Sequence, residues 1–171
     1  MNPFCRTLTD PFTELETLAR GRYGVIEVRN GQLAAIHLRP WPKTISGLEV
    51  AWGGRRQHAF RSGDRCWLYY NQPRRHSSFL ALKYIVSARD CTLATIHRSL
   101  EVLDEVARVK RTDAIVCDVW NMRISSGMLA RQGWEPHRPS RWHRHYIKRF
   151  YGVYPDPPPA LLNCMPVGAT C

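Results

Sequence analysis

The first half of the chain alternates hydrophobic and polar residues in short runs, which is the pattern of half-buried β-strands. Two such runs, Tyr23 to Arg29 and Gln32 to Leu38, flank Asn30-Gly31. Asn-Gly between two apolar runs predicts a hairpin, because both turn positions need positive φ. Three more runs follow the same pattern: Leu48 to Trp52, Gln57 to Phe60 and Cys66 to Tyr70. We therefore predict an antiparallel meander over residues 23–70, preceded by a short helix that ends near residue 20.

The second half begins with a longer apolar run and then changes its period. Phe79 to Ser87 is apolar enough for a central strand. Residues 91–111 show a helical period, with apolar residues three and four positions apart on one face: Leu93, Ile96, Leu100, Leu103, Val106 and Ala107. Asp113 to Val119 is a short, mostly apolar run that is typical of a parallel strand.

The chain after residue 119 continues the alternation of strands and helices. A helix is expected from about Arg123 to Gln132, and Gly133 suits its left-handed C-terminal cap. Arg141 to Phe150 fits a strand or a helix, and its aromatic content favours a strand. Residues 79–150 therefore predict a β-α-β-α-β unit, and the fold class is α/β. Residues 153–171 are expected to be an extended tail, because of Pro155, Pro157, Pro158 and Pro159.

Length and composition agree with one packed domain. The chain has 171 residues, of which 44% are hydrophobic, so residues 1–152 are expected to form a single domain. No run approaches the roughly 18 apolar residues of a membrane helix, and the N-terminus lacks the apolar core of a secretory signal. The six cysteines never adopt a metal-binding spacing. We expect a cytoplasmic protein with reduced thiols, no metal and no membrane association.

The net charge of +11 implies an anionic partner or cofactor. The basic residues are concentrated in two segments, one between Arg55 and Arg75 and one between His137 and Arg149. The second segment interleaves cations with aromatic rings: Arg138, Arg141, Trp142, Arg144, Tyr146 and Lys148. Such a strip fits a single-stranded nucleic-acid surface, where cations neutralise phosphates and rings stack on bases. It also fits a closing strand whose rings enter the core while its charges face water.

Four segments together suggest a family. They are FLALKYIVS at 79–87, RDCTLA at 89–94, DAIVCDVWN at 113–121 and RISSGMLARQGW at 123–134. In this order they resemble the cofactor-binding half of the GNAT superfamily of acyltransferases. The resemblance covers residues 79–150 and implies a GNAT-like mixed sheet with acetyl-CoA or another acyl-CoA as cofactor. It also implies acyl transfer from that cofactor to an amine, carried by a small molecule or a protein.

The resemblance implies a pyrophosphate site at the start of the long helix. The family has Q/R-x-x-G-x-G/A there, and Arg89 and Ala94 match this pattern while Thr92 replaces the first glycine. Backbone amides and the positive end of the helix dipole favour an anion at such a turn. Thr92 is expected either to donate its hydroxyl to a phosphate or to cap the helix.

The resemblance also implies contacts with the pantetheine arm and the thioester. Asn121 and Arg123 match a family segment that contacts the arm, although Asn121 also suits a helix cap. The strand amides near Ile85 and Val86 would polarise the thioester carbonyl. Leu129 stands where many members have the tyrosine that protonates the leaving thiolate.

A general base for the amine is less well defined by the sequence. Glu49 lies on a strand candidate and is the preferred residue, with Glu27, His76 and His97 as other candidates. Glu49 also fits a solvated strand face. The sequence thus leaves two functions open: an acyl-CoA-dependent N-acyltransferase, or a non-catalytic GNAT-like basic domain that binds nucleic acid or an acidic partner.

Overall fold

The computed structural model describes residues 5–10, 13–42, 62–119, 125–137 and 144–156. These residues contain three helices: α1 (Leu15–Arg20), α2 (Leu93–Val109) and α3 (Ser126–Arg131). They also contain eight strands: β1 (Arg6–Leu8), β2 (Tyr23–Arg29), β3 (Gln32–Arg39), β4 (Arg65–Asn71), β5 (Phe79–Ser87), β6 (Ala114–Val119), β7 (Glu135–Pro136) and β8 (Arg144–Arg149).

The eight strands form one mixed sheet in the order β1-β3-β2-β4-β5-β6-β8-β7. Among the described strands, β5 and β6 pair in parallel and the other neighbours pair antiparallel. The predicted α/β class and the β-α-β-α-β order after residue 79 are confirmed. The strand prediction for the end of the domain is also confirmed by β8.

The antiparallel half differs from a simple meander. The predicted hairpin is present, with Asn30 at φ 49° and Gly31 at φ 71° in the turn between β2 and β3. However, β4 pairs with β2 and not with β3, because β3 pairs on its other side with β1. The meander order was therefore wrong, although the antiparallel pairing was right.

One face of the sheet forms the core with α2. Thr92 caps this helix with its side chain, which accepts the backbone N–H of Thr95. The apolar stripe of α2 packs on fully buried strand residues, including Ile26, Leu68 and Ile115. Burying each such side chain contributes about 1.5–3 kcal/mol, so this interface fixes α2 over the sheet.

The start of the proline-rich tail packs on the domain. The Tyr154 hydroxyl donates to the carbonyl of Thr112 at 3.0 Å, and its ring lies 4.9 Å from the ring of Phe150. Packing contacts with the domain therefore continue past residue 152, where the domain was expected to end.

Several sequence-based expectations lie outside the described residues. The two strand candidates Leu48 to Trp52 and Gln57 to Phe60 belong to this group. So do six candidate site residues: Glu49, Asn121, Arg123, Arg138, Arg141 and Trp142.

Candidate functional site

The two parallel strands part beside the start of α2. Pairing between β5 and β6 runs from Phe79 and Ala114 to Leu82 and Cys117. Strand β5 then continues to Ser87, paired only with β4 among the described strands. Among the described residues, β5 and β6 therefore share no ladder pairing at their C-terminal ends, and we call the region between these two ends the opening.

A β-bulge marks the point of divergence. Tyr69 of β4 faces Tyr84 of β5, whereas the next residue, Tyr70, faces Leu82. Lys83 is thus an extra residue in β5, and a bulge bends its strand and increases its twist. The pairing of β5 with β6 ends at Leu82, directly before the bulge. The bulge therefore explains why β5 leaves β6 after Leu82.

Ile85 and Val86 lie on the part of β5 that borders this opening. They pair with Leu68 and Trp67 of β4, and both are half-buried. In a strand, backbone N–H groups point alternately to either side. One amide of this pair of residues therefore points away from β4, toward the opening.

Both hydrogen-bond donors of Thr92 that the sequence analysis offered to a phosphate contact Asp64. The backbone N–H of Thr92 donates to Asp64 Oδ1 at 2.8 Å, and its hydroxyl donates to Asp64 Oδ2 at 2.9 Å. Both donors are therefore taken by a carboxylate, and a contact between Thr92 and a pyrophosphate stays a prediction. The alternative role of Thr92, capping the helix, is confirmed.

Asp64 is the centre of a polar cluster that joins three segments. Thr95 Oγ1 donates to Asp64 Oδ2 at 2.7 Å and accepts the backbone N–H of Gly31 at 2.9 Å. The hydrogen bond from the Thr92 amide, followed by those from the Thr95 and Thr92 hydroxyls, lowers the pKa of Asp64. The cluster ties the β2–β3 turn and the start of β4 to the helix.

Arg89 and Ala94, which match the family loop, are both exposed. They lie on either side of Thr92 at the end of the sheet where the opening lies. Within the described part of the chain, neither side chain has a hydrogen bond or ion pair that assigns it a role. Their contribution to a cofactor site stays a prediction.

Leu129, which stands where many family members have a catalytic tyrosine, is part of the core. Leu129 is 5% exposed and packs in the main hydrophobic cluster. The helix that contains it is capped by Ser125, whose side chain accepts the N–H of Met128 at 3.1 Å.

A tyrosine reaches the site from another strand. Tyr146 of β8 faces Cys117 of β6, the last residue of β6 that pairs with β5. Its hydroxyl lies 2.7 Å from Ser126 Oγ in the first turn of α3. The sequence analysis did not identify Tyr146 as a residue beside this site. The signal in the sequence was the alternation of Tyr146 and Lys148 along β8, which places both side chains on one face.

The nucleic-acid strip is not supported by its described residues. Tyr146 is 4% and Lys148 is 8% exposed, so neither presents a ring or a charge to a polynucleotide. Lys148 Nζ instead donates to Asp104 Oδ2 of α2 at 2.6 Å. Arg144 is half-buried. The expectation was wrong for Tyr146 and Lys148, because β8 is covered by α2 and α3 on the face that these side chains share.

The Asp104–Lys148 pair lies in the wall of a cleft of about 480 Å³. The cleft separates α2 from the segment that follows α3, and its lining includes Glu101, Arg131 and Gly133. Burial raises the pKa of Asp104 to about 6, although the neighbouring Lys148 ammonium lowers it. Crowding by Glu105 and Glu101 adds to the increase.

Of the candidate bases, Glu27 is held in an ion-pair network. Its carboxylate lies 2.7 Å from Arg29 and 3.2 Å from His37 Nε2, and His37 Nδ1 lies 2.9 Å from the Thr7 hydroxyl. Burial raises the pKa of Glu27, but the Arg29 and His37 hydrogen bonds outweigh it and the pKa is lowered. Glu27 faces Trp67 across β2 and β4, so it lies two strands from β5. His76 is exposed in the β4–β5 loop.

Two other types of site are absent from the described residues. No group of three or more His, Cys, Asp or Glu side chains in the described ranges is arranged to hold a metal ion. No helix in the described part of the chain has the length and apolar character needed to span a bilayer.

The chain was compared with protein-family models, with curated proteins and with solved structures, and none of them matches it.

Proposed function

We propose that this domain binds an acyl-CoA in the opening between β5 and β6 and transfers the acyl group to an amine. The observation that carries the proposal is the end of β5–β6 pairing at Leu82 and Cys117, beside the bulge at Lys83. An opening at the C-terminal ends of parallel strands is the usual ligand position in an α/β sheet. The resemblance of residues 79–150 to the GNAT cofactor half supports acyl-CoA as the ligand.

The proposed chemistry is direct transfer. The amine nitrogen attacks the thioester carbon and the C–N bond forms. The nitrogen then loses a proton to solvent water, and the C–S bond breaks to release a thiolate. A β5 amide at Ile85 or Val86 stabilises the oxyanion, since a fixed N–H donor is most effective where charge develops. The thiolate takes a proton from a donor near the opening, and we assign this donor to the Tyr146 hydroxyl, which lies level with the last β5–β6 pair.

Asp64 restricts where the phosphates are held. Its carboxylate uses the amide of Thr92, so the proposal leaves the phosphates to the exposed turn that contains Arg89 and Ala94. The negative charge of Asp64 weakens this binding by repulsion. The domain therefore binds the cofactor mainly through its arm.

We place the activity in the cytoplasm. The cysteines of the described residues, Cys5, Cys66, Cys91 and Cys117, are free thiols. Free thiols persist in a reducing compartment.

The first test is a thermal-unfolding titration with acetyl-CoA, coenzyme A and a single-stranded oligonucleotide. Acetyl-CoA at about 100 times its Kd should add roughly 2.7 kcal/mol to the free energy of unfolding. This addition raises the Tm of a domain of this size by about 5–10 °C. Coenzyme A should act similarly. No shift with either compound at millimolar concentration would overturn the proposal, and a salt-sensitive shift with the oligonucleotide alone would favour nucleic-acid binding.

A further inference from the structure

His97 has a ring nitrogen that the fold leaves without a partner. His97 Nε2 is buried and has no hydrogen-bond partner among the described residues. A buried polar atom without a partner destabilises the fold, and such an atom in a native structure requires an explanation. A ligand that supplies the missing hydrogen bond would provide one.

Helix geometry places His97 beside the opening. His97 and Asp104 are seven residues apart on α2, so they lie on nearly the same side of the helix, two turns and about 10 Å apart. Asp104 contacts Lys148, which faces Ile115 of β6. Because α2 runs antiparallel to β6, two turns toward its N-terminus correspond to about three residues along the strand. His97 is therefore level with Asp118, one residue past the last β5–β6 pair.

His97 also faces a groove between two helices. Lys148 and Tyr146 are two residues apart on β8 and share the sheet face that α2 covers. Ser126 of α3 contacts Tyr146 on that same face. Helices α2 and α3 thus flank the same stretch of β6 and β8, and the cleft at Lys148 shows that they remain apart further along.

From this position we infer that His97 Nε2 hydrogen-bonds an amide of the pantetheine arm of the acyl-CoA. The inference rests on the proposed function and adds a residue that recognises the arm. The arm is uncharged and has two amide groups, and an imidazole nitrogen either accepts an amide N–H or donates to an amide carbonyl, according to its tautomer. His97 is here a binding residue, since no contact brings it to the reacting carbon.

The test compares His97→Leu with His97→Gln. Glutamine keeps a polar group near the Nε2 position, whereas leucine removes it. Binding of acetyl-CoA is measured by calorimetry in parallel with 3′-phosphoadenosine 5′-diphosphate, which has the cofactor phosphates and adenosine but no arm. His97→Leu should raise the Kd of acetyl-CoA about 3- to 10-fold. His97→Gln should have a Kd within about twofold of the wild-type value.

The two control measurements separate a local contact from a structural effect. His97→Leu should leave the Tm of the free protein unchanged or higher, because it removes an unsatisfied buried polar atom. It should also leave binding of the armless nucleotide unchanged. Equal affinity of His97→Leu and wild type for acetyl-CoA would overturn the role of His97 and leave the proposed function standing. An equal loss of affinity for acetyl-CoA and for the armless nucleotide would do the same. Failure of the wild type to bind acetyl-CoA would overturn the proposed function and this inference together.

Discussion

The carboxylate of Asp64 accepts the backbone N–H of Thr92 at 2.8 Å and the Thr92 hydroxyl at 2.9 Å, across 28 residues of sequence. The contact satisfies an amide at the start of α2, where the first N–H groups of a helix have no partner within the helix. It also places a negative charge at the positive end of the helix dipole, which is stabilising. The same contact keeps an external anion from that amide.

Replacing Asp64 should therefore change stability and cofactor affinity in opposite directions. Asp64→Asn removes the charge that repels the cofactor phosphates, so the Kd of acetyl-CoA should fall. The variant loses charge-assisted hydrogen bonds to Thr92 and Thr95, so its Tm should also fall. Both are measured by thermal unfolding with and without ligand.

The pH dependence provides a control for Asp64. Its pKa is lowered in the folded protein, so its stabilisation is fully present above the unfolded value near 3.9 and is lost as pH falls through the folded value. The stability difference between wild type and Asp64→Asn should shrink below about pH 4. A difference that stayed constant down to pH 2 would mean that the ionised carboxylate is not the stabilising form.

Tyr146→Phe tests the proposed proton donor. The phenol is removed and the ring is kept, so the turnover number should fall about 10²-fold while the Kd of acetyl-CoA stays the same. The lost hydrogen bond to Ser126 should cost about 0.5–1.5 kcal/mol of unfolding free energy. Ser126→Ala is the matched control, because it removes the same hydrogen bond but keeps the phenol. Equal turnover by both variants would contradict the assignment.

Local patterns in the sequence were sufficient for most of the elements. The helical period of residues 91–111 and the Asn30-Gly31 turn depend on neighbours within a few residues, and the helix and the hairpin that they predict are confirmed. Leu93 is an exception on the predicted apolar face, since it is 56% exposed. Strand order depends on contacts between distant segments. The pairing of β4 with β2 follows from the position of β1 on β3, and three residues at Arg6–Leu8 are too few to give a pattern.

The site was predicted less well than the fold for a related reason. Asp64 has the sequence character of an ordinary turn residue, and nothing near it indicates the helix start that it caps. The basic segment left two interpretations open for Tyr146 and Lys148: a nucleic-acid surface, or a closing strand with its rings in the core and its charges in water. The burial of Tyr146 agrees with the second interpretation, and the burial of Lys148 agrees with neither. Their burial depends on Asp104 and Ser126, which lie 44 and 20 residues away.

Two glycines with different surroundings, one in the sheet and one in a helix, test the packing of β2. A Cβ at Gly24 of β2 would lie 2.5 Å from the ring of Tyr70, which is fully buried. Gly24→Ala should therefore destabilise the protein by about 1–3 kcal/mol. Gly127 of α3 has open space around its Cα, so Gly127→Ala should stabilise the helix by up to about 1 kcal/mol. Urea unfolding of both variants measures the difference, and equal effects would contradict the packing of β2 against Tyr70.

The buried Asp104 predicts a dependence of stability on pH that is opposite to the usual one for a carboxylate. Its folded pKa of about 6 lies above the unfolded value, so the folded protein binds more protons between about pH 4 and pH 6. The contribution of Asp104 to stability should therefore fall as pH rises through this window and then level off above about pH 7. Asp104→Asn should lose this slope. Urea unfolding of wild type and variant from pH 4.5 to 7.5 measures the difference, and parallel curves would mean that Lys148 keeps Asp104 ionised throughout the range.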